Sequence, residues 1–312
     1  MADTALQNSN AQQPNGAAMG LFFVPAAAPR RRHTPGGRGH SMAQKKGGTV
    51  MGRTFCVAGH DPRQLAAAEA LRRAGCRVVG AAEAARADAV LFPAAQQRIN
   101  DETARILQAV RPGTLLLAGR PGPPLQQAAR EAGLPLVDYL RCAELETLNA
   151  IPTAEGCLAL LLELRRRTIW ESDFLVLGYG RIGRALARRL VLLGGGVTAA
   201  ARSPVQRAEA RGDGCRAVPL AALGDCLPGA DTVINTIPAL VLPRSLLEKL
   251  PRGALVVDLA SRPGGVDFAS AARLGIRTEH ALALPGRYAP ATAGALTAQA
   301  ALHLLQDREG TV

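Results

Sequence analysis

The sequence predicts an α/β protein of two Rossmann-like, doubly wound parallel-sheet domains joined by a helical connector, with a disordered N-terminal tail. Three observations predict it. Short apolar runs alternate with longer segments of helical spacing, the pattern of parallel strands covered on both faces. Aromatic residues make up only 3% of the 312 residues while Ala and Gly abound, which suits helices packed on strands better than an all-β sandwich. One of the runs, Phe174-Leu175-Val176-Leu177, leads straight into a glycine-rich turn and a helix.

Residues 1–50 are rich in Ala, Gln, Asn, Gly and Pro and show no periodicity, so they read as a disordered tail. Met51 stands just before the first strand, and the residues ahead of it read as a functionless tail, an overlong gene start or a basic arm. The first domain is expected over 51–150, on the substrate side. Its strands are Thr54–Ala58, Arg77–Val79, Ala89–Phe92, Leu115–Ala118 and Pro135–Asp138; its helices are 63–74, 101–110 and 123–132. Residues 141–168 read as helical, broken at Ile151-Pro152-Thr153, with 151–168 as the connector. A Rossmann dinucleotide domain follows over 169–290. Its strands are Phe174–Leu177, Gly196–Ala200, Thr232–Asn235 and Ala254–Asp258, with edge strands near Ala217-Val218 and Arg277-Thr278. A last helix, 292–306, is expected to return to the first domain.

The net charge is +12, of which residues 1–50 hold +5 through six basic side chains and one acid, Asp3. The remaining charge is dispersed, and no aromatic residues interleave with it as a single-strand reader requires, so nucleic acid is not an expected partner. No apolar run reaches the roughly 18 residues that span a bilayer, and Arg30-Arg31-Arg32 follows the short apolar stretch instead of preceding it. A cytoplasmic protein without a membrane partner is expected. The six cysteines show no CxxC spacing and read as reduced, buried thiols, with no metal site.

The glycine turn is Gly178-Tyr179-Gly180-Arg181-Ile182-Gly183, followed by a helix expected from Arg184 to Leu193. Gly178 permits the turn, Gly180 lets a pyrophosphate approach the backbone, and Gly183 lets helix and strand pack; the helix N-terminus then faces the phosphates. The end of the second strand selects the cofactor. An NAD site usually carries Asp or Glu there; residues 196–203 read GVTAAARS, without an acid. Arg202 and Ser203 stand where a 2′-phosphate would lie, so NADP is expected. Asn235, Thr236 and Pro238, and Ala260 and Ser261, end the next two strands and should border the nicotinamide ribose. With Arg181 and Ile182 they complete the expected cofactor set.

Longer words carry a family resemblance. They are 151–156 (IPTAEG), 178–183, 201–203, 235–238 (NTIP), 258–268 (DLASRPGGVDF), 284–286 (LPG), 289–290 and 292–294. Together they resemble the dipicolinate synthase A subunits of spore-forming bacteria, over residues 54 to 306. The resemblance implies NADP-dependent oxidation of dihydrodipicolinate to pyridine-2,6-dicarboxylate, with the dipicolinate synthase B subunit as partner, in the mother-cell cytoplasm during sporulation. Ala291 departs from the pattern, where the family carries Lys, and the Gly59-His60-Asp61-Pro62-Arg63 turn differs from its Gly-Gly-Asp.

A dicarboxylate substrate needs cations or N–H groups at both ends. Candidates are Arg63, Thr153, Arg262, the amides of Gly264 and Gly265, and Arg287, which could stand in for the missing lysine. Thr153 reads equally well as an N-cap. The expected catalytic set is Thr153, Glu155, Arg262 and Asp267; Asp61 and His60 are further candidates for a base, and the sequence selects none. Two alternatives stay open: another two-domain NADP-dependent dehydrogenase, and an NADP-binding regulatory or scaffolding protein without turnover. A homo-oligomer is compatible with either.

Overall fold

The computed structural model describes residues 52–96 and 98–310. The tail and the Met51 start lie outside the described residues. The first sheet holds β1 (Thr54–Val57), β2 (Arg77–Val79), β3 (Ala89–Ala94), β4 (Leu115–Gly119) and β5 (Leu136–Asp138), all parallel, in the order β2-β1-β3-β4-β5. The second holds β6 (Asp173–Leu177), β7 (Gly196–Ala201), β8 (Arg216–Pro219), β9 (Thr232–Asn235), β10 (Leu255–Asp258) and β11 (Arg277–His280). It is also all parallel, in the order β11-β10-β9-β6-β7-β8. Both orders are doubly wound. The winding reverses between β1 and β3 in one sheet and between β6 and β9 in the other, and ligands of such sheets bind at the carboxyl ends of the strands beside the reversal.

The central strands are apolar throughout because helices cover both faces: Ala89–Phe92, Leu115–Ala118 and Phe174–Leu177 are fully buried. The helices are α1 (Pro62–Arg73), α2 (Asp101–Ala109), α3 (Pro123–Glu131), α4 (Ala143–Leu148), α5 (Ala150–Leu164), α6 (Arg181–Leu192), α7 (Pro204–Gly212), α8 (Leu223–Cys226), α9 (Arg244–Leu247), α10 (Phe268–Arg273), α11 (Leu284–Tyr288) and α12 (Pro290–Glu309). The sequence reading missed α7 to α11, most of which are short.

Two helix starts correct the sequence reading. The connector is not broken at 151–153: α5 runs straight through Pro152. That proline is the third helical residue, where an N–H has no partner within the helix, so its absence costs nothing. The first helical bond runs from Thr153 N to Asn149 O, at 3.2 Å. Thr153 is therefore inside the helix and not its cap. The second correction concerns α6, which begins at Arg181 rather than Arg184.

The last helix lies along α1. A side chain at Gly294 would stand 2.5 Å from Ala66 Cβ and 2.5 Å from Arg63 O, so the backbones meet directly. Ala298, Ala301 and Leu305 of α12 join Phe55, Leu71 and Leu117 in one core. All six cysteines are free thiols, four of them buried, and burial pushes Cys56 to about 11 and Cys157 to about 12. Among the described residues no helix is long and apolar enough to cross a membrane.

Candidate dinucleotide site

The glycine turn joins β6 to α6 at the reversal point of the second sheet. Gly178 has φ +89°, and a side chain there would stand 2.6 Å from Thr236 Oγ1. A side chain at Gly183 would run into Gly178 O. Both glycines are required by the fold itself. Gly180 is not: its φ of −82° suits any residue, and a Cβ there would meet nothing within 4 Å. The space it leaves open lies over the first turn of α6. The first helical bond of α6 runs from Arg184 N to Gly180 O, at 2.9 Å, so the amides of Arg181, Ile182 and Gly183 precede the ladder. Open space above unladdered amides at the positive end of a twelve-residue helix fits a dinucleotide pyrophosphate. The Arg181 side chain is directed elsewhere, to Glu146 of α4 at 2.9 Å, so its backbone amide remains its link to the site.

Tyr179 anchors the turn from below. Its ring is buried, and its hydroxyl donates to Asp213 Oδ2 at 3.0 Å, which also takes Arg184 Nε at 2.8 Å. Partial burial pushes the Asp213 carboxyl up, but the hydrogen bonds from Arg184 and Tyr179, with the charges of Arg184 and Arg188, outweigh it and hold the group below the usual carboxylate range. A carboxyl depressed on folding stabilises the fold above its unfolded pKa and loses that contribution as pH falls through the folded value. Asp213→Asn should therefore narrow the stability difference between pH 6 and pH 3 relative to the unsubstituted chain. Urea midpoints at the two pH values measure it, and an unchanged difference would refute the linkage.

At the end of β7 no carboxylate is present. Arg202 is exposed and Ser203 caps α7, accepting from Gln206 N at 3.5 Å. Arg207, which the sequence reading missed, reaches back from α7 to Ala201 O (3.0 Å) and Arg202 O (2.6 Å). Its spacing of one helical turn beyond Ser203 was the available signal.

The ends of β9 and β10 are organised by a residue the sequence reading did not single out. Asp258 is fully buried, and its carboxylate accepts from Asn235 Nδ2 (2.8 Å), Ala260 N (2.9 Å) and Gly265 N (2.7 Å). Asn235 also donates to Ile237 O at 3.0 Å and accepts from Ile237 N at 3.0 Å. Its side chain is thus a brace between two strand ends. Thr236 Oγ1 donates to Leu177 O at 2.8 Å and ties β9 to the glycine turn. Pro238 is exposed, Ala260 buried and Ser261 half-buried. Asp258 also corrects the expectation for the two glycine amides. Gly265 N is held by its carboxylate and Gly264 N by Ser261 O at 2.9 Å. A side chain at Gly264 would stand 2.6 Å from Asp258 Oδ2, and one at Gly265 would collide with Asn235 Nδ2. These glycines admit the Asp258 carboxylate rather than offer N–H groups to a substrate.

Other expected residues also have local partners. Thr153 is buried and its hydroxyl donates to Asn149 O at 2.7 Å. Glu155 pairs with Arg189 at 3.0 Å, linking α5 to α6. Asp267 caps α10, accepting from Ser270 N at 2.9 Å, and the Ser270 hydrogen bonds hold its carboxyl below the usual range. Asp61 caps α1 through Arg63 N (2.9 Å) and Gln64 N (3.1 Å). Arg287 pairs with Glu163 at 3.3 Å over the Tyr288 ring. His60 and Arg262 are exposed. His280 stacks on Phe268 and its Nε2 meets Ala260 O at 2.8 Å. His303 has an acidic neighbour invisible in the sequence, Glu144 at 3.0 Å, but both are half-exposed on α12 and α4.

Residues 160–268 match the model of the D-isomer specific 2-hydroxyacid dehydrogenase NAD-binding domain, which supports a nicotinamide dinucleotide cofactor and an oxidoreductase. The dipicolinate synthase A subunit of Bacillus subtilis (strain 168) is 36% identical over 183 residues, or 59% of this chain and 62% of that protein. The aligned stretch thus spans less than two thirds of that relative. The crystal structure of the dipicolinate synthase A subunit from Bacillus halodurans superposes with a TM-score of 0.76 at 28% identity, covering 83% of this chain and 99% of that one. The chain resembles the dipicolinate synthase A subunits in sequence and in fold. That likeness extends over both sheets, whereas the domain model reaches only the second. A transhydrogenase from Sinorhizobium meliloti, at 21% identity and a TM-score of 0.61 over 76% of this chain and 79% of that one, is similar to this chain in fold alone.

Proposed function

We propose that the chain is the NADP-dependent oxidising component of a dipicolinate synthase, converting dihydrodipicolinate to pyridine-2,6-dicarboxylate. What carries the reading is the two-domain likeness to the dipicolinate synthase A subunits joined to an open glycine cradle. By the same likeness it works with the B subunit of that synthase, in the mother-cell cytoplasm of a sporulating cell. The bound nicotinamide supplies a hydride acceptor. The substrate ring loses a hydride and a proton and becomes aromatic, so the reaction has a large driving force of its own. The chain's task is then positioning more than proton abstraction. That fits a site whose carboxylates Glu155, Asp267 and Asp61 already hold ion pairs or caps.

In this reading the amides of Arg181, Ile182 and Gly183 hold the pyrophosphate. Thr236, Pro238, Ala260 and Ser261 border the nicotinamide ribose. Arg202 holds the 2′-phosphate, which a carboxylate at that position would repel. Arg202→Ala should weaken NADP by about 10- to 100-fold, the range of a lost charge-assisted pair, and leave NAD almost unchanged. Equal NADP affinity in a fluorescence titration would sink the cofactor assignment. The activity test is NADPH formation from dihydrodipicolinate by the purified chain, with and without the B subunit. Turnover supports the enzyme. Cofactor binding without turnover in either mixture favours a regulatory protein instead.

A further inference from the structure

The first sheet has its own reversal point, between β1 and β3, and its strand ends are built as firmly as those of the second. Gln64, fully buried in the first turn of α1, donates through Nε2 to Ala58 O (2.8 Å) and Leu91 O (3.2 Å), clamping the two strands where they part. The residue before it, Arg63, is half-buried. Its guanidinium lies against α11: a side chain at Gly286 would stand 3.0 Å from Nη2 and 3.3 Å from Nε. Through α11 it also faces the second domain, because Leu284 and Tyr288 pack on Gly156 of α5. Arg63 makes no side-chain hydrogen bond or ion pair among the described residues. Carboxylates of the same edge are engaged elsewhere: Asp61 as the α1 cap, Asp138 by Arg120 N and Leu140 N, each at 3.0 Å, and Glu102 by Gly59 N at 3.4 Å.

A half-buried guanidinium without an anion is an unbalanced arrangement. Here it stands at the strand ends beside a sheet reversal, where doubly wound sheets take ligands. Arginine presents two parallel N–H groups that match a carboxylate. We propose that Arg63 is the carboxylate anchor of the substrate site and that glycine at position 286 keeps the space beside its guanidinium clear. This rests on the reading above for the identity of the substrate, but not for the presence of a small carboxylate. It assigns a role to one of the candidates legible in sequence and adds Gly286, which was not among them.

The test is calorimetry of the full chain, saturated with NADP, against pyridine-2,6-dicarboxylate, pyridine-2-carboxylate, pyruvate and malate. We expect the dicarboxylate to bind and Arg63→Gln to weaken it by about 30-fold or more, with Arg63→Lys restoring part of the loss. Gly286→Ala should weaken it by about 10-fold. NADP affinity should stay unchanged in all three variants, and Tm in the two Arg63 variants, because that side chain makes no hydrogen bond or ion pair among the described residues. Undiminished carboxylate binding by Arg63→Gln would overturn the anchor and leave the proposed function standing. So would a fall in Tm with binding intact, which would make Arg63 a structural brace. If the wild type binds only pyruvate or malate and Arg63→Gln loses it, the anchor stands and the dipicolinate reading falls. Binding of none of the four overturns both.

Discussion

Replacing Gly180 with valine should weaken dinucleotide binding by at least about 100-fold while leaving the fold intact. The two halves of that expectation come from one measurement of space. The Gly180 position has ordinary backbone angles, and a Cβ there meets nothing within 4 Å, so a small branched side chain is expected to fit without disturbing the protein. It does fill the ground above the α6 amides, which a pyrophosphate must approach closely. Gly183→Ala makes the contrast. Its methyl would press on Gly178 O, so both stability and binding should fall, the former by about 1–3 kcal/mol. Thermal unfolding beside an NADPH fluorescence titration separates the two. If Gly180→Val binds NADPH with wild-type affinity, the phosphates do not lie in this cradle.

Asp258→Ala should be among the most destabilising substitutions of a polar residue in the chain, by about 3–5 kcal/mol. The carboxylate is fully buried and takes three hydrogen bonds, two of them from backbone amides that have no access to water. Hydrogen bonds to a charged group contribute about 1.5–3 kcal/mol each, and each orphaned donor costs about 1–3 kcal/mol, with incomplete additivity. Asp258→Asn should cost less, since its amide oxygen still accepts while its NH2 faces a donor. Urea unfolding measures both. A loss under about 1 kcal/mol for Asp258→Ala would mean that water or a rearranged loop satisfies Ala260 and Gly265. Dinucleotide affinity should fall with stability, because the same carboxylate shapes the strand end beside Ala260 and Ser261.

What was legible in the sequence followed from local physics. Apolar runs such as Ala89–Phe92 are strands because nothing else so short and so apolar is covered on both sides. The glycine turn announced itself because three glycines at fixed spacing between strand and helix answer three separate steric demands. What was not legible depended on partners far along the chain. Asp258 looked like a residue at a strand end, and only the fold brings Asn235 and Gly265 to its oxygens. Gly264 and Gly265 looked like amide donors for the same reason. Arg63 and Gly286 lie more than 200 residues apart in sequence, so no periodicity could link them. Pro152 misled for a different reason. Proline marks a break in mid-helix and is harmless in the first turn, and the two cases differ only by where the helix begins.

The return of α12 to α1 has a consequence for how the molecule is made. The core around Phe55 and Leu71 is closed by Ala298, Ala301 and Leu305, near the far end of the chain. A growing chain therefore exposes that half-finished core throughout synthesis, while the glycine-turn domain already has its strands and helices to hand. Vectorial folding usually completes the amino-terminal part first; here the core of the half carrying Arg63 can close only once α12 emerges.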